Sequence, residues 1–313
     1  MRLFARRLRQ HFNFLNKIPA LAYATAGFLA IGVVMRINYN QITSKNNPLI
    51  KWAASLKEKK YRESEGCFLA EGEKLTKEAL ESGLDITHIF ISESKSEYFL
   101  NLICGFLEKK AHAECRVSVI PEWLLEKIST ENSPQGIISV IKHLDFFRRM
   151  DIIYKEEFLK NPSERVMILS SLRDPGNLGS VVRSAVAFGV CHLIMSDDCA
   201  DIYNSKTVRG AMGSLFKVKV SIVSDLVSTV KEIRAAGRRV LSAELDENAK
   251  RLGVDKILRD DVIIIGNEGH GVSSEVSSAA TDKIYIPISA KTESLNASVS
   301  AAIFMWELSK VCL

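Results

Sequence analysis

Short apolar runs alternate with amphipathic stretches through the second half of the chain. The runs at residues 166–170 and 262–265 are almost continuously apolar, a pattern typical of strands covered on both faces of a parallel sheet. Further strands are predicted at 191–195, 215–220, 239–243 and 284–288, with helices that end at 188, cover 203–211 and 226–236, and begin near 295. The alternation predicts an α/β domain with a parallel sheet over residues 166–313.

A second, smaller alternation covers residues 41–140. Helices are predicted at 48–60, 73–82, 100–109 and 121–128, and strands at 86–91, 117–120 and 135–140. This part is therefore expected to be a small α/β domain of its own. Residues 141–165 are mixed and charged, and we expect a linker there with one helix near residues 151–160.

Residues 1–40 form a separate N-terminal extension. Residues 1–17 are basic, and residues 18–35 are an uncharged run of 18, close to the roughly 20 that a membrane-spanning helix needs. Three interpretations stay open: a membrane anchor, a signal or transit peptide, and translation that begins at Met35 and leaves the run out of the working protein.

The net charge of +5 comes from this extension. The chain has 42 basic and 37 acidic residues, and six of the basic ones but no acidic one lie in residues 1–40, so the other 36 and 37 nearly cancel. A basic field over the whole surface, as in many nucleic-acid binders, is thus excluded, and any such contact must use local patches. The six cysteines form no C-x-x-C pair, which predicts reduced thiols in a reducing compartment and neither a structural zinc nor another metal site.

Three loops with candidate chemistry follow predicted strands. The first contains Asn177, Gly179 and Arg183, the second is residues 266–271, and the third is the polar cluster 292–296. Carboxyl ends of parallel strands share one edge of a sheet, so we expect the three loops to meet there. The first loop lacks both the G-x-G-x-x-G and the P-loop patterns, and nucleoside triphosphates are not predicted.

Each motif also has a purely structural interpretation. Ser294 and Asn296 are typical N-caps, and Glu268 is suited to capping the helix that follows it. Arg183 is suited to a surface position or an ion pair as well as to an anion contact.

The combined motifs resemble those of a known family. The set Asn177-x-Gly179-x-x-x-Arg183 with Phe188-Gly189, then Gly266-Asn267-Glu268-Gly269-x-Gly271, then Ile286-Pro287 with Ser294-Leu295-Asn296-x-Ser298 resembles the three motifs of the SpoU/TrmH family. These are RNA ribose 2′-O-methyltransferases of the knotted SPOUT class. The resemblance covers about residues 163–313, including the segment 203–214 between the first two motifs. Residues 41–140 resemble the family's RNA substrate-binding domain, similar to a ribosomal-protein fold, whereas residues 1–34 match nothing in the family, which favours a start at Met35.

The resemblance implies S-adenosylmethionine as cofactor and a homodimer with active sites at the interface. It implies cofactor-binding residues Gly266, Asn267, Gly269, Ile286 and Leu295, and catalytic residues Arg183, Asn177, Glu268, Ser294 and Asn296. A free guanidinium is not a base at neutral pH, so we expect Arg183 to hold the RNA phosphate and stabilise the developing alkoxide. Val186 stands where many members have an acidic residue, which removes a local ion-pair partner for Arg183.

RNA contacts are predicted at a group of basic side chains in both domains: Lys51, Lys57, Lys59, Lys60, Arg62, Lys206 and Arg209. A solvated charged face is the alternative for each lysine. Ribosomal RNA is predicted ahead of transfer RNA, with base methylation and a non-catalytic RNA-binding protein as competing hypotheses. The predicted compartment is the cytoplasm, with an organellar or membrane-tethered protein as the alternative if residues 1–35 are retained.

Overall fold

The computed structural model describes residues 39–107, 115–144, 147–149 and 164–310. Its first half has a five-stranded mixed sheet in the order β1-β4-β3-β5-β2. The strands are β1 (Tyr39–Gln41), β2 (Cys67–Glu71), β3 (Ile86–Ser92), β4 (Arg116–Ile120) and β5 (Ile137–Lys142). β4 is parallel to β1 and β3, whereas β5 is antiparallel to β2 and β3. The helices around it are α1 (Pro48–Ser55), α2 (Lys59–Glu65), α3 (Glu73–Glu81), α4 (Ser96–Leu107) and α5 (Glu122–Ile128).

The second half has an eight-stranded sheet in which every strand pair is parallel. Its order is β11-β13-β10-β12-β7-β8-β9-β6. The strands are β6 (Phe147–Arg149), β7 (Val166–Leu169), β8 (His192–Ser196), β9 (Lys219–Val223), β10 (Val240–Ala243), β11 (Lys250–Arg251), β12 (Val262–Ile265) and β13 (Asp282–Tyr285). The helices are α6 (Pro175–Ala187), α7 (Ser205–Ala211), α8 (Leu226–Ala235), α9 (Ser274–Ala279) and α10 (Ala297–Lys310).

The predicted α/β class with a parallel sheet is confirmed, and its centre is where the sequence is most apolar. β7 and β12 lie side by side in the sheet. All eight of their residues are at most 2% exposed. Continuous apolar runs were expected for strands covered by helices on both faces, and burial of these two strands is the physical reason for that pattern.

Four local predictions were wrong. The single helix over residues 48–60 is two helices, because the backbone at Glu58 is extended. The Arg62 guanidinium donates hydrogen bonds to the carbonyls of Leu56 and Lys57 at this break. The strand at 215–220 begins only at Lys219, since residues 214–217 form a 3₁₀ turn that buries Leu215. The strand at 284–288 ends at Tyr285, shortly before Pro287, which has no N–H to donate. Part of the predicted linker is β6, a strand parallel to β9.

Two predicted elements, the apolar run 18–35 and the helix near 151–160, lie outside the described residues. Within the ranges that the structure describes, no helix combines the length and the apolar character that crossing a bilayer requires.

Two buried histidines predict a loss of stability in mild acid. His88 and His192 are 4% and 3% exposed and hydrogen-bond to Ser118 and Ser221. Burial lowers the pKa of each imidazole from 6.5 to about 4. Below pH 6.5 the two imidazoles are therefore protonated in the unfolded chain but remain neutral in the folded chain. The free energy of unfolding falls as the pH drops from 6.5 towards 4.

Urea unfolding at pH 7 and pH 5 measures this effect. We expect the free energy of unfolding to be about 2 kcal/mol lower at pH 5 for each of the two histidines. The double variant His88→Gln/His192→Gln should flatten the dependence. An equally steep loss in that variant would show that other groups are responsible.

Candidate functional site

The first loop is shaped by the start of α6. The Asp174 side chain caps the helix, accepting a hydrogen bond at Oδ1 from the backbone N–H of Asn177 at 2.7 Å. Pro175 occupies the first turn, where a missing N–H costs nothing. This cap fixes Asn177 at the carboxyl end of β7 with its side chain free to bond elsewhere.

The three loops meet through their side chains. Asn177 Nδ2 donates to Glu268 Oε1 at 3.0 Å, and Asn296 Nδ2 donates to Asn177 Oδ1 at 3.0 Å. Glu268 Oε1 also accepts from the backbone N–H of Asp174 at 3.4 Å. Residues more than 90 positions apart thus form one hydrogen-bonded junction, which confirms that the loops share one edge of the sheet.

Asn296 has a second role that the sequence predicted. Its Oδ1 accepts from the backbone N–H of Ser298 at 2.9 Å and from the hydroxyl of Ser298 at 2.6 Å, which caps α10. The cap and the junction use different atoms of one amide, so the N-cap interpretation and the functional one are compatible.

Asn267 organises the glycine-rich loop from within. Its Nδ2 donates to the carbonyl of Ser171 at 2.8 Å, and its Oδ1 accepts from the backbone N–H groups of Gly269 and His270 at 2.9 and 3.2 Å. Its backbone pairs with Gly271 in both directions. Both amide atoms of Asn267 are therefore engaged in holding the loop and tying it to the end of β7.

The tightest backbone approach in this loop is at Gly266. A Cβ there would lie 2.2 Å from the carbonyl carbon of Gly271 and 2.4 Å from the nitrogen of Val272. Both are backbone atoms, which cannot move aside by a change of side-chain rotamer. Any side chain at position 266 must therefore displace the loop.

Gly266→Ala is therefore expected to weaken binding of S-adenosylmethionine, the cofactor that the resemblance implies, about tenfold, which corresponds to a loss of about 1.4 kcal/mol of loop contacts. Gly105→Ala, on α4 and away from the cavity, is the control for a glycine-to-alanine change, since a Cβ there would meet no atom within 4 Å. Calorimetric titration of both variants with the cofactor, beside thermal unfolding, makes the comparison. Equal cofactor affinity in Gly266→Ala and the unchanged protein would contradict this account of the loop.

A cavity of about 460 Å³ opens beside the junction. All five predicted cofactor-binding residues line it, together with Glu268 and Ser294. Its floor is apolar, with Ile265, Ile284 and Phe304, and its rim is polar. A volume of this size, an apolar floor and a glycine backbone that approaches closely fit a cofactor with an adenine ring and a charged amino-acid end.

Sequence reasoning missed the wall of the cavity made by residues 243–245. Glu244 accepts a hydrogen bond from the Ser277 hydroxyl and lies 3.7 Å from Lys283 Nζ. Ala243 is the last residue of β10, which was predicted as a strand, and Glu244 and Leu245 follow it directly. Their position after the carboxyl end of a parallel strand was the signal that could have found them.

Arg183, Asn177 and Asn296 do not line the cavity. Arg183 is exposed on α6, and within the described ranges no hydrogen bond or ion pair involves its side chain. Of the predicted catalytic residues, Glu268 and Ser294 therefore line the cavity. Asn177 and Asn296 are bonded to Glu268 through the junction, and Arg183 lies further along α6.

Six of the seven predicted RNA-binding residues are exposed: Lys51, Lys57, Lys59, Lys60, Lys206 and Arg209. Three of the lysines have surface ion pairs, Lys59 with Glu63 at 3.7 Å, Lys60 with Glu58 at 3.1 Å and Lys206 with Asp174 at 3.8 Å. Arg209 is ion-paired with Glu131.

The prediction for Arg62 was wrong. Its side chain is 5% exposed and forms an ion pair with Asp201 in the other half of the chain. Its remaining donors reach the carbonyls of Leu56 and Lys57, so the guanidinium has no surface to offer to RNA. Among the parts of the chain that the structure describes, no group of His, Cys, Asp and Glu could hold a metal ion.

Comparison with known proteins shows which families have similar sequences and structures. The sequence model of the SpoU rRNA Methylase family matches residues 164–306, and that of the MRM3-like substrate binding domain matches residues 47–139. A Bacillus subtilis relative named 23S rRNA (guanosine(2553)-2′-O)-methyltransferase RlmP is 30% identical over 271 residues, which are 86% of this chain and 98% of the relative. A 23S rRNA (uridine(2479)-2′-O)-methyltransferase of Streptomyces viridochromogenes is 27% identical, over 85% of this chain and 91% of its own. The crystal structure of an AdoMet-bound rRNA methyltransferase from Sinorhizobium meliloti aligns with a TM-score of 0.74 at 25% identity, over 88% of this chain and 99% of that one.

Proposed function

The chain belongs to the SpoU rRNA Methylase family and is an S-adenosylmethionine-dependent RNA methyltransferase, and from this premise we propose that it methylates a ribose 2′-hydroxyl of ribosomal RNA. The observation that carries the proposal is the junction of Asn177, Glu268 and Asn296 beside the cavity. It ties the loops that line the cavity to the start of α6, the helix that also carries Arg183. The names of the two 23S rRNA relatives support the ribose and the ribosomal target.

The residues suited to hold the cofactor are Gly266, Asn267, Gly269, Ile286 and Leu295, all of which line the cavity. Bound there, S-adenosylmethionine supplies a methyl group already activated on a sulfonium. The chain must hold the 2′-hydroxyl of the RNA in line with this methyl group, because positioning of the reactants supplies much of the rate acceleration in such a reaction.

The polar junction is suited to that task. Asn177, Glu268 and Asn296 hold one another, so their remaining donors and acceptors are ordered before RNA arrives. Ser294 lines the same cavity, two positions before Asn296 in the sequence. Arg183 holds the RNA phosphate and stabilises the negative charge that grows on the 2′-oxygen.

RNA reaches this site over an exposed basic surface. Lys51, Lys57, Lys59, Lys60 and Lys206 contact its phosphates in this proposal. The ion pairs that three of them make are exposed, and such pairs contribute about 0–1 kcal/mol each, so a phosphate displaces the carboxylate at little cost.

The working protein is a cytoplasmic homodimer in this proposal. Val299 and Trp306 lie on α10, the helix that Asn296 caps, and each is 46% exposed. A second copy packed against α10 would cover these apolar side chains and place its own surface beside the junction. Within the described ranges no disulfide joins Cys67, Cys104, Cys115, Cys191 or Cys199, which suits a reducing compartment.

The RNA target is tested with labelled S-adenosylmethionine and total RNA that lacks modifications, separated by size after the reaction. Label in ribosomal RNA is the expected result. Label only in the transfer RNA fraction would contradict the ribosomal target. Cofactor and RNA binding without any transfer, including to assembling ribosomal particles, would identify a non-catalytic RNA-binding protein.

A further inference from the structure

The segment 201–217, which contains α7, makes three ion pairs with the first half of the molecule. Asp201 binds the buried Arg62 of α2, whose Nε donates to Asp201 Oδ2 at 3.1 Å. Arg209 pairs with Glu131, in the loop after α5. Lys217 Nζ lies 3.5 Å from Glu78 Oε2 of α3. Three elements of the first half are thus bound to one short segment of the second.

An aromatic contact lies between these ion pairs. The ring of Tyr203 stacks on Phe68 with centroids 4.6 Å apart and on His143 with centroids 4.2 Å apart. Its hydroxyl accepts a hydrogen bond from the backbone N–H of Leu144 at 2.8 Å. Tyr203 is 7% exposed, so this contact is part of the interior.

The other side of the same segment touches α6, the helix of Asn177 and Arg183. A Cβ at Gly179 would lie 2.7 Å from the carbonyl oxygen of Thr207 and 2.9 Å from the Cα of Gly210. The two helices therefore meet backbone to backbone, with no flexible side chain between them. A shift of α7 must be transmitted to α6, because close-packed backbones cannot absorb it.

We propose that residues 201–217 are a positioning element that fixes the first domain, and with it the bound RNA, relative to Arg183 and the junction. Arg209 acts in this element by binding Glu131 and not by contacting RNA. The inference rests on the proposed function, since it is the RNA held by the first domain that must be aligned. Misplacement of a substrate by about 1 Å lowers catalytic rates about 100-fold, so a rigid connection between binding surface and site has a large effect on turnover.

The pair Glu131 and Arg209 is suited to a test, because its side chains are 32% and 47% exposed and substitutions near the surface usually change stability little. The full chain is prepared as Glu131→Arg, as Arg209→Glu and as the double exchange. We expect each single variant to lower kcat/KM for RNA at least about tenfold, and the exchange to return to within about threefold of the unchanged protein, by the logic of double-mutant cycles. Affinity for S-adenosylmethionine and the midpoint of thermal unfolding should change little in all three.

Direct RNA contact by Arg209 gives a different pattern and would overturn the proposal. Arg209→Glu would then weaken RNA binding, Glu131→Arg would strengthen it by adding positive charge, and the exchange would restore nothing. A fall in kcat/KM that follows a fall in thermal stability would likewise assign the pair to folding alone.

A second measurement tests the positioning element without relying on methyltransferase activity. Fluorescent labels on non-natural residues at the exposed positions 97 and 247 report the distance between the two halves in doubly labelled chains diluted with unlabelled protein. The distance distribution should be narrow in the unchanged protein and in the exchange, and broad in each single variant. Identical distributions in all four proteins would refute the positioning element. Inactivity of the unchanged protein on every RNA would instead count against the proposed function.

Discussion

Replacing Arg183 by alanine is expected to lower the turnover number for methyl transfer about 10²–10³-fold, the usual effect of removing one group that stabilises an oxyanion. The affinity for S-adenosylmethionine should stay within about twofold, because Arg183 lies outside the cavity that fits the cofactor. Single-turnover rates at saturating RNA, with calorimetric titration of the cofactor, separate the two quantities.

The control for this variant is Arg173→Ala. Arg173 is close in sequence and 68% exposed, with its ion pair to Asp198 at 3.1 Å, and is expected to change turnover less than about threefold. Arg183→Lys should recover part of the loss, since lysine keeps the charge but not the planar fork that matches a phosphate. Unchanged turnover in Arg183→Ala would remove Arg183 from the catalytic residues.

The second large effect is expected at Arg62. Arg62→Ala should lower the free energy of unfolding by about 3–5 kcal/mol, the usual result of removing one partner from a buried ion pair. The carboxylate of Asp201, 16% exposed, would lose its counter-charge, and the carbonyls of Leu56 and Lys57 would lose their donors. Urea unfolding measures the change.

Lys60→Ala provides the comparison on the same helix. Its ion pair with Glu58 is exposed at 67% and 61%, so Lys60→Ala should leave the urea midpoint of unfolding nearly unchanged. A similarly small cost for Arg62→Ala would mean that the two halves are not joined through Asp201, and the positioning element would lose its buried contact.

Arg62 also shows what a local sequence pattern cannot predict. It was grouped with exposed lysines because a single helix over residues 48–60 would have continued its polar face to residue 62. Its partner Asp201 is 139 positions away, and nothing in the local pattern distinguishes an arginine that reaches such a partner from a solvated one. Long-range ion pairs are set by how the two halves pack.

The candidate site was more accessible to prediction, for a reason of geometry. Asn177, Glu268 and Asn296 each follow a strand, and parallel strands bring their carboxyl ends together whatever else the fold does. The direction of each side chain was not predictable in this way. Asn267, expected to bind the cofactor, lines the cavity but uses both amide atoms to hold its own loop.

The cavity wall at residues 243–245 was not predicted from the sequence either. Glu244 follows a predicted strand but belongs to no recognisable motif, and attention to motifs passed over it. A search of every strand's carboxyl end, with or without a motif, would have included it.

The central claim is methyl transfer to a ribose hydroxyl, and the most direct measurement is alkaline hydrolysis of ribosomal RNA labelled by the purified protein with S-adenosylmethionine. A 2′-O-methyl group removes the hydroxyl that alkaline cleavage requires. We predict label in alkali-resistant dinucleotides. Label confined to mononucleotides would show that a base is methylated and would contradict the proposed reaction.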